Sequence, residues 1–135
     1  MALNPHFLLA TRNTMLDNIT TALGTSALLN MYAGVQPADT SAATTGANVI
    51  VATPAFPATN AFASATLGVI TANPITSDSS AAGGSANWFA LCKSTGLRVV
   101  DGSIGTSGAD LNLNSQAITT GAAVAITSFT ITLPA

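Results

Sequence analysis

The sequence predicts a mainly β fold, an antiparallel β-sandwich with one N-terminal α-helix packed on it. An apolar pattern with helical spacing occurs near the N-terminus, and the rest of the chain alternates short apolar or β-branched segments with turns rich in Gly, Pro, Asn and Ser. Consecutive strands joined by short turns favour antiparallel pairing, and a preceding helix has to bury its apolar face on the sheet. The length of 135 residues predicts a single domain over residues 1–135.

The helix is predicted over about residues 5–23. Asn4 is a suitable N-cap, and Pro5 fits the first turn because its missing N–H has no partner there. Gly24 suits the C-cap position. The residues that recur at helical spacing and form the predicted buried face are Leu8, Met15, Leu16, Ile19 and Leu23. Arg12 lies beside this face, either as a snorkelling side chain or in an ion pair with an Asp of the β region.

The β-sandwich is predicted over about residues 27–133. Turns at Ser94-Thr95-Gly96 and Thr120-Gly121 join strands, and the prolines of segment 54–66 restrict it to a sheet edge or an extended arm. Two flexible loops are predicted, at residues 35–47 and 76–86. The segments with the composition of strands are 27–34, 48–53, 67–75, 87–93, 97–104, 110–118 and 123–133.

The last predicted strand contains two apolar sets of opposite parity. Val124 and Ile126 form one set, and Phe129, Ile131 and Leu133 form the other. Because side chains alternate strictly along a strand, one face cannot hold both sets. Either both faces are buried, or a bulge near residues 127–128 resets the register, and we favour the bulge.

The stretch "GTSGADLNLNSQ" contains Asp110, Asn112 and Asn114 two residues apart, the spacing with which an EF-hand loop begins. Such a loop also needs Gly at its sixth position and Glu at its twelfth, where this chain has Ser115 and Gly121. An amphipathic strand with its leucines directed inward accounts for the same spacing. We therefore predict a strand here and no metal site, with weak calcium binding at the surface as the alternative.

Charge and hydropathy limit the classes of partner. Only 6% of the residues are charged, against about 25% in a typical soluble protein, and the net charge is −2. Three Lys and Arg residues cannot form the basic cluster that nucleic acid requires, so we expect no nucleic-acid partner. The mean hydropathy of +0.51 is high, yet no run approaches the ~18–20 apolar residues of a membrane span, and the first twelve residues lack the basic region of a signal peptide. We expect no membrane partner and apolar contact with a neighbouring subunit.

No catalytic, metal or cofactor site is predicted. His6 is the single histidine, and no nucleophile–base or paired-carboxylate arrangement emerges from the sequence. The single Cys92 excludes an internal disulfide and lies in an apolar run typical of a buried thiol. Trp88 and Phe89 are either core aromatics of a central strand, which we favour, or a platform for stacking sugars.

Four stretches of the sequence are distinctive when taken together: "LDNITTALG", "LLNMYAGVQPAD", "ANWFALCKSTGLRVVDGSIGTSGADLNLN" and "ITTGAAVAITSFTITLPA". With these stretches the chain resembles a family of small structural proteins of tailed-bacteriophage particles. The resemblance spans most of the chain and implies a non-enzymatic virion structural protein. We expect a capsid decoration, or cement, protein on the surface of the phage head, made in the host cytoplasm.

The expected partners are the major capsid protein, whose outer lattice the chain would bind, and further copies of the chain in a dimer or trimer. Contact is expected through apolar packing and backbone hydrogen bonds of the Pro-rich and Gly/Ser-rich segments 35–47, 54–66 and 76–86. The closest alternative is a subunit of the phage tail or of the head–tail connector. A second alternative is a carbohydrate-binding module of the virion that uses Trp88 or Tyr32.

Overall fold

The computed structural model describes residues 5–44 and 46–135, and the elements below belong to those residues. The prediction of a mainly β chain with one helix is confirmed. The sandwich is not confirmed, because the strands form one five-stranded sheet and two small two-stranded sheets. The elements are α1 Leu9–Leu23, β1 Leu28–Tyr32, β2 Ile50–Ala52, β3 Val69–Thr71, β4 Gly84–Ser85, β5 Trp88–Cys92, β6 Arg98–Gly105, β7 Leu111–Asn112, β8 Ala117–Ile118 and β9 Thr130–Thr132.

Helix α1 begins four residues later than predicted. Leu8 has extended backbone (φ −55°, ψ 140°) and makes no side-chain capping bond, so Pro5 lies outside the helix. The predicted cap Asn4 lies outside the described residues. The predicted buried face is partly correct: Leu16 and Leu23 are buried and Ile19 is partly buried against the core, whereas Leu8 and Met15 are exposed.

The buried side of α1 is partly polar, which is why the apolar pattern misplaced it. Arg12 Nη1 donates to the carbonyl of Leu133 at 3.0 Å, so its partner is a backbone carbonyl and not the carboxylate considered above. Asn13 Oδ1 accepts from the N–H of Gly68 at 2.9 Å, and Asp17 Oδ1 accepts from that of Ala65 at 2.7 Å. These bonds fix the helix to the chain around β3 and β9 through side chains that a hydropathy pattern assigns to solvent.

The five-stranded sheet has the order β2-β1-β5-β6-β7. The β5–β6 hairpin forms as predicted, with the turn closed by Lys93 N–H donating to Leu97 at 2.9 Å and with Gly96 at φ +87°. Every residue of β5 is buried. Phe89 and Leu91 face the main core and Trp88, Ala90 and Cys92 face a second cluster, so both faces of this central strand are covered.

The predicted strand 110–118 is interrupted, and its first part pairs unexpectedly. Strand β7 runs parallel to β6, with Ile104 opposite Leu111, although antiparallel pairing was predicted throughout. Strand β8 leaves this sheet and pairs with β4. Between β7 and β8, Gln116 Nε2 donates to the carbonyls of Ala86 and Ile104 at 2.9 and 3.0 Å. These two bonds from the Gln116 side-chain amide to the backbone fix the chain between β7 and β8.

The predicted strand 123–133 is also shorter, since only β9 is regular and it pairs antiparallel with β3. Ile126 and Phe129 are both buried, and Thr127 and Ser128 between them are exposed. The alternation therefore changes at the predicted residues, but it changes in irregular chain and not at a bulge within one long strand.

Segment 54–66, predicted as a sheet edge or extended arm, and segment 76–86, predicted as a flexible loop, both contribute residues to the core. Phe56 and Phe62 of segment 54–66 are buried, and their ring centroids lie 5.4 Å apart. In segment 76–86, Ala81 is buried and Asp78 Oδ2 accepts from the N–H of Thr53 at 2.8 Å. These contacts fix both segments to the core, while many of their residues, among them 58–60 and 79–80, are exposed.

Candidate functional site

The two aromatic residues proposed for sugar stacking are enclosed. Tyr32 and Trp88 stack on each other with ring centroids 4.2 Å apart and an interplanar angle of 8°. Trp88 is 1% exposed and Tyr32 is 7% exposed. Trp88 Nε1 donates to Asn48 Oδ1 at 2.9 Å. These rings are core aromatics, as we favoured, and offer no free face to a sugar.

Arg98 connects the sheet to the loop of residues 35–47, which we call the covering loop and in which Thr45 lies outside the described residues. The Cζ of Arg98 lies 5.7 Å from the centroid of Trp88, and the Nη1 of Arg98 forms a 3.2 Å salt bridge with Asp101. Its Nη2 donates to the carbonyl of Ala42, and Gln36 Nε2 donates to Asp101 Oδ1 at 3.0 Å. Cation–π, ionic and hydrogen-bond contacts therefore hold the loop on the sheet.

The thiol of Cys92 belongs to the same buried cluster as the stacked rings. It is buried, and Asn30 Nδ2 lies within 3.6 Å of its Sγ and donates to the hydroxyl of Tyr32 at 3.4 Å. Burial raises the pKa of Cys92 and, in the same way, that of Tyr32. Since the thiolate is the reactive form, the interpretation of Cys92 as a buried core thiol agrees with its position.

Asp110 and Asn112 organise a turn. Asp110 Oδ2 accepts from both the N–H and the hydroxyl of Ser103 at 2.8 Å, and these bonds lower the pKa of Asp110. Asn112 bonds the N–H and the carbonyl of Ala109 at 3.1 and 3.2 Å. Within residues 5–44 and 46–135, no group of three or more His, Cys, Asp or Glu side chains is placed to hold a metal ion.

An apolar surface lies where the start of α1 meets the end of the chain, and we call it the terminal patch. It comprises Phe7, Leu8, Leu9 and Met15, which are 46%, 74%, 37% and 42% exposed, together with residues 133–135. Pro5, Phe7 and Met15 share a cavity of about 280 Å³ with these last residues. Exposed apolar side chains gathered in one place mark interaction surfaces more often than scattered ones do.

The apolar side chains of the terminal patch are visible in the sequence, but their spacing predicts a different position for them. It places Leu8 and Met15 on the buried face of the helix. A helix start at Leu9 and polar anchors at Arg12 and Asn13 turn them outward. The contribution of residues 133–135 depends on tertiary structure and has no local signal.

In the described part of the chain, no helix has the length and apolar character needed to cross a bilayer. Comparisons with protein-family models, with curated proteins and with solved structures gave no match.

Proposed function

We propose that this chain is a non-enzymatic structural subunit of a bacteriophage particle, and that it acts as a decoration protein on the outer lattice of the major capsid protein. The resemblance of its sequence blocks to small virion proteins supports this proposal, as does the low charge. The observation that carries it is the terminal patch. Four large exposed apolar side chains, before and within the first half of α1 and beside residues 133–135, suit a subunit that is covered when it assembles.

The scaffold behind the patch suits such a role. The main sheet and the β3–β9 pair share one core, in which Phe89 and Phe129 meet edge to face with centroids 5.4 Å apart. We infer that these two sheets act as the layers of a small sandwich-like support. A decoration protein stabilises a shell by binding its assembled state alone, which is mass-action linkage. A stable scaffold with an apolar contact surface meets that requirement.

The proposal implies contact that survives salt. Surface ion pairs are screened within a Debye length of about 8 Å at physiological ionic strength, whereas apolar contacts are not. Few charges are present to form such pairs, since the chain has only eight charged side chains apart from His6. We expect the purified chain to co-sediment with particles stripped of it, at both low and high salt. Release at modest salt would contradict apolar attachment.

A paired substitution tests the surface itself. Leu8→Ser combined with Met15→Ser should weaken co-sedimentation at least about tenfold, because burying one such side chain contributes roughly 1.5–3 kcal/mol. Leu97→Ser is the matched control, since Leu97 is 61% exposed and lies outside both the terminal patch and the segments expected to contact the capsid. Equal loss in both variants would remove the terminal patch from the proposal. Attachment to isolated tails or connectors, and not to capsids, would favour the tail or connector alternative.

A further inference from the structure

Strand β9 has one open edge. Two backbone hydrogen bonds flank its pairing with β3, each at 2.9 Å, and they join Ala72 to Phe129 and Leu133 to Gly68. Backbone groups of an antiparallel strand alternate between its two sides, so the odd-numbered residues of β9 bond to β3. The N–H and C=O groups of Thr130 and Thr132 therefore point away from β3. Both threonines are exposed, and no hydrogen bond to these groups occurs within the described residues.

Strand β6 has an open stretch of edge as well. The N–H of Ile104 donates to the carbonyl of Asn87, which directly precedes β5, so the odd-numbered residues nearby face the other way. The N–H of Ser103 confirms this direction, because it donates to the Asp110 carboxylate and not to β5. Strand β7 covers only the far end of this edge, at Ile104 and Gly105. The N–H and C=O groups of Asp101 are left without a backbone partner in the described chain.

These two open edges line the same groove, which has a volume of about 320 Å³. Its apolar lining comes from both sheets, with Phe89 and Val100 on one side and Phe129 and Ile131 on the other. Asp110 completes the lining, and it is exposed. A groove with apolar side chains and unpaired strand backbone on both walls has the properties of a missing strand.

We propose that this groove binds an extended peptide segment of a partner protein, which adds as a strand between β6 and β9. The backbone of the segment would bond to Asp101 on one wall and to Thr130 and Thr132 on the other. Alternate side chains of the segment would enter the groove and pack on the Phe89 and Phe129 rings, so they should be apolar. The proposal concerns a binding site apart from the terminal patch and does not depend on the proposed capsid role.

The negative charge of Asp110 at the groove indicates which residues the bound segment should carry. In the described residues the one salt bridge is that of Arg98 with Asp101, so Asp110 has no cationic partner there. A Lys or Arg at the end of the segment nearest Asp110 would supply one. A second copy of this chain inserting its own β9 would bring threonines and no cation to this position. An extended apolar segment with a basic end therefore fits better than a second copy.

A blocked hexapeptide of alternating Val and Thr with Lys at one end is a suitable probe, with the Lys placed at either end in two syntheses. Titrated into the full chain, it should shift the NMR amide signals of Asp101, Thr130 and Thr132 and protect them from hydrogen exchange. The same peptide with N-methyl groups on alternate backbone nitrogens should bind at least about tenfold more weakly, because it cannot donate to both strand edges. This comparison requires no variant of the protein.

Two protein variants separate the backbone and charge contributions. Thr132→Pro removes an N–H that β3 does not use and should weaken binding, while Thr132→Val keeps it and should not. Asp110→Asn keeps an acceptor for Ser103. It should remove the preference of the protein for the peptide with Lys at its end over the same peptide with Glu in place of that Lys. Equal binding of the N-methylated peptide, or no binding of any probe, would overturn the proposal. Protection of Thr130 and Thr132 in a concentration-dependent dimer without peptide would also overturn it, in favour of a second copy.

Discussion

At the scale of single residues, Leu16 and Leu8 show that the position of a leucine in or before α1 determines how much it contributes to the free energy of unfolding. Leu16 is fully buried in the main core, whereas Leu8 precedes the first turn of α1 and is 74% exposed. Leu16→Ala should lower the free energy of unfolding by roughly 2–5 kcal/mol, because it removes buried apolar volume and leaves a cavity. Leu8→Ala should change it by less than about 0.5 kcal/mol. Chemical denaturation measures both, and similar losses would contradict the helix orientation.

Asp110 gives a second test at this scale. Its carboxylate bonds to Ser103, and the described chain provides no cluster of metal ligands around it. The melting temperature should therefore be the same with calcium and with a chelator, both in the parent chain and in Asp110→Ala. The substitution should lower the melting temperature in both buffers by the same amount, since it removes the Ser103 bonds. A rise in melting temperature with calcium, present in the parent and lost in the variant, would restore a metal site.

The covering loop is the feature to test at the scale of elements. Arg98 connects it to the sheet, and Trp88 beneath it is the single tryptophan, so intrinsic fluorescence reports on this cluster. Arg98→Met retains much of the aliphatic stem but loses the salt bridge and the bond to Ala42. It should increase quenching of Trp88 by acrylamide and expose the loop to protease. Lys93→Met is the control, and equal quenching in both variants would show that the loop stays closed without Arg98.

Elements defined by local chemistry were the ones that the sequence predicted well. The β5–β6 hairpin follows from a glycine turn between two apolar runs, and the existence of α1 follows from helical spacing. The buried face of the helix was partly wrong because polar side chains, Arg12 among them, bond to backbone far away in sequence. The open edges of β6 and β9 depend on which strands do not pair in the tertiary structure, and no local sequence pattern indicates this.

The distribution of carboxylates predicts how the whole molecule responds to acid. Three of its five acidic side chains, Asp39, Asp78 and Asp110, have a pKa below the ordinary 3.8. For Asp39 the largest cause is the Ser41 hydroxyl, and for the other two it is a backbone N–H. A depressed folded-state pKa stabilises the fold above the unfolded pKa, and this stabilisation is lost as pH falls through the folded value.

The midpoint of urea unfolding should therefore be nearly constant from pH 7 to about pH 5 and should fall as the pH drops below about 4. Asp78→Asn should flatten this decline, because one titrating carboxylate is gone. Asp17→Asn is the control for Asp78→Asn, because it also removes a carboxylate that accepts a hydrogen bond from a backbone N–H, here that of Ala65. A midpoint unchanged down to pH 2 would show that these bonds do not differ between the folded and unfolded chains.

The chain of aromatic rings has a consequence for synthesis. Phe56 contacts Phe62, Phe62 lies 6.0 Å from Phe129, and Phe129 meets Phe89. Phe129, which links the Phe56–Phe62 pair to Phe89, lies beside β9, and both are translated after the other three rings. A nascent chain that stops before Phe129 leaves Phe62 and Phe89 without this partner and β3 without its strand. The core can thus close only after translation reaches this segment, and unfinished chains should need a chaperone or aggregate.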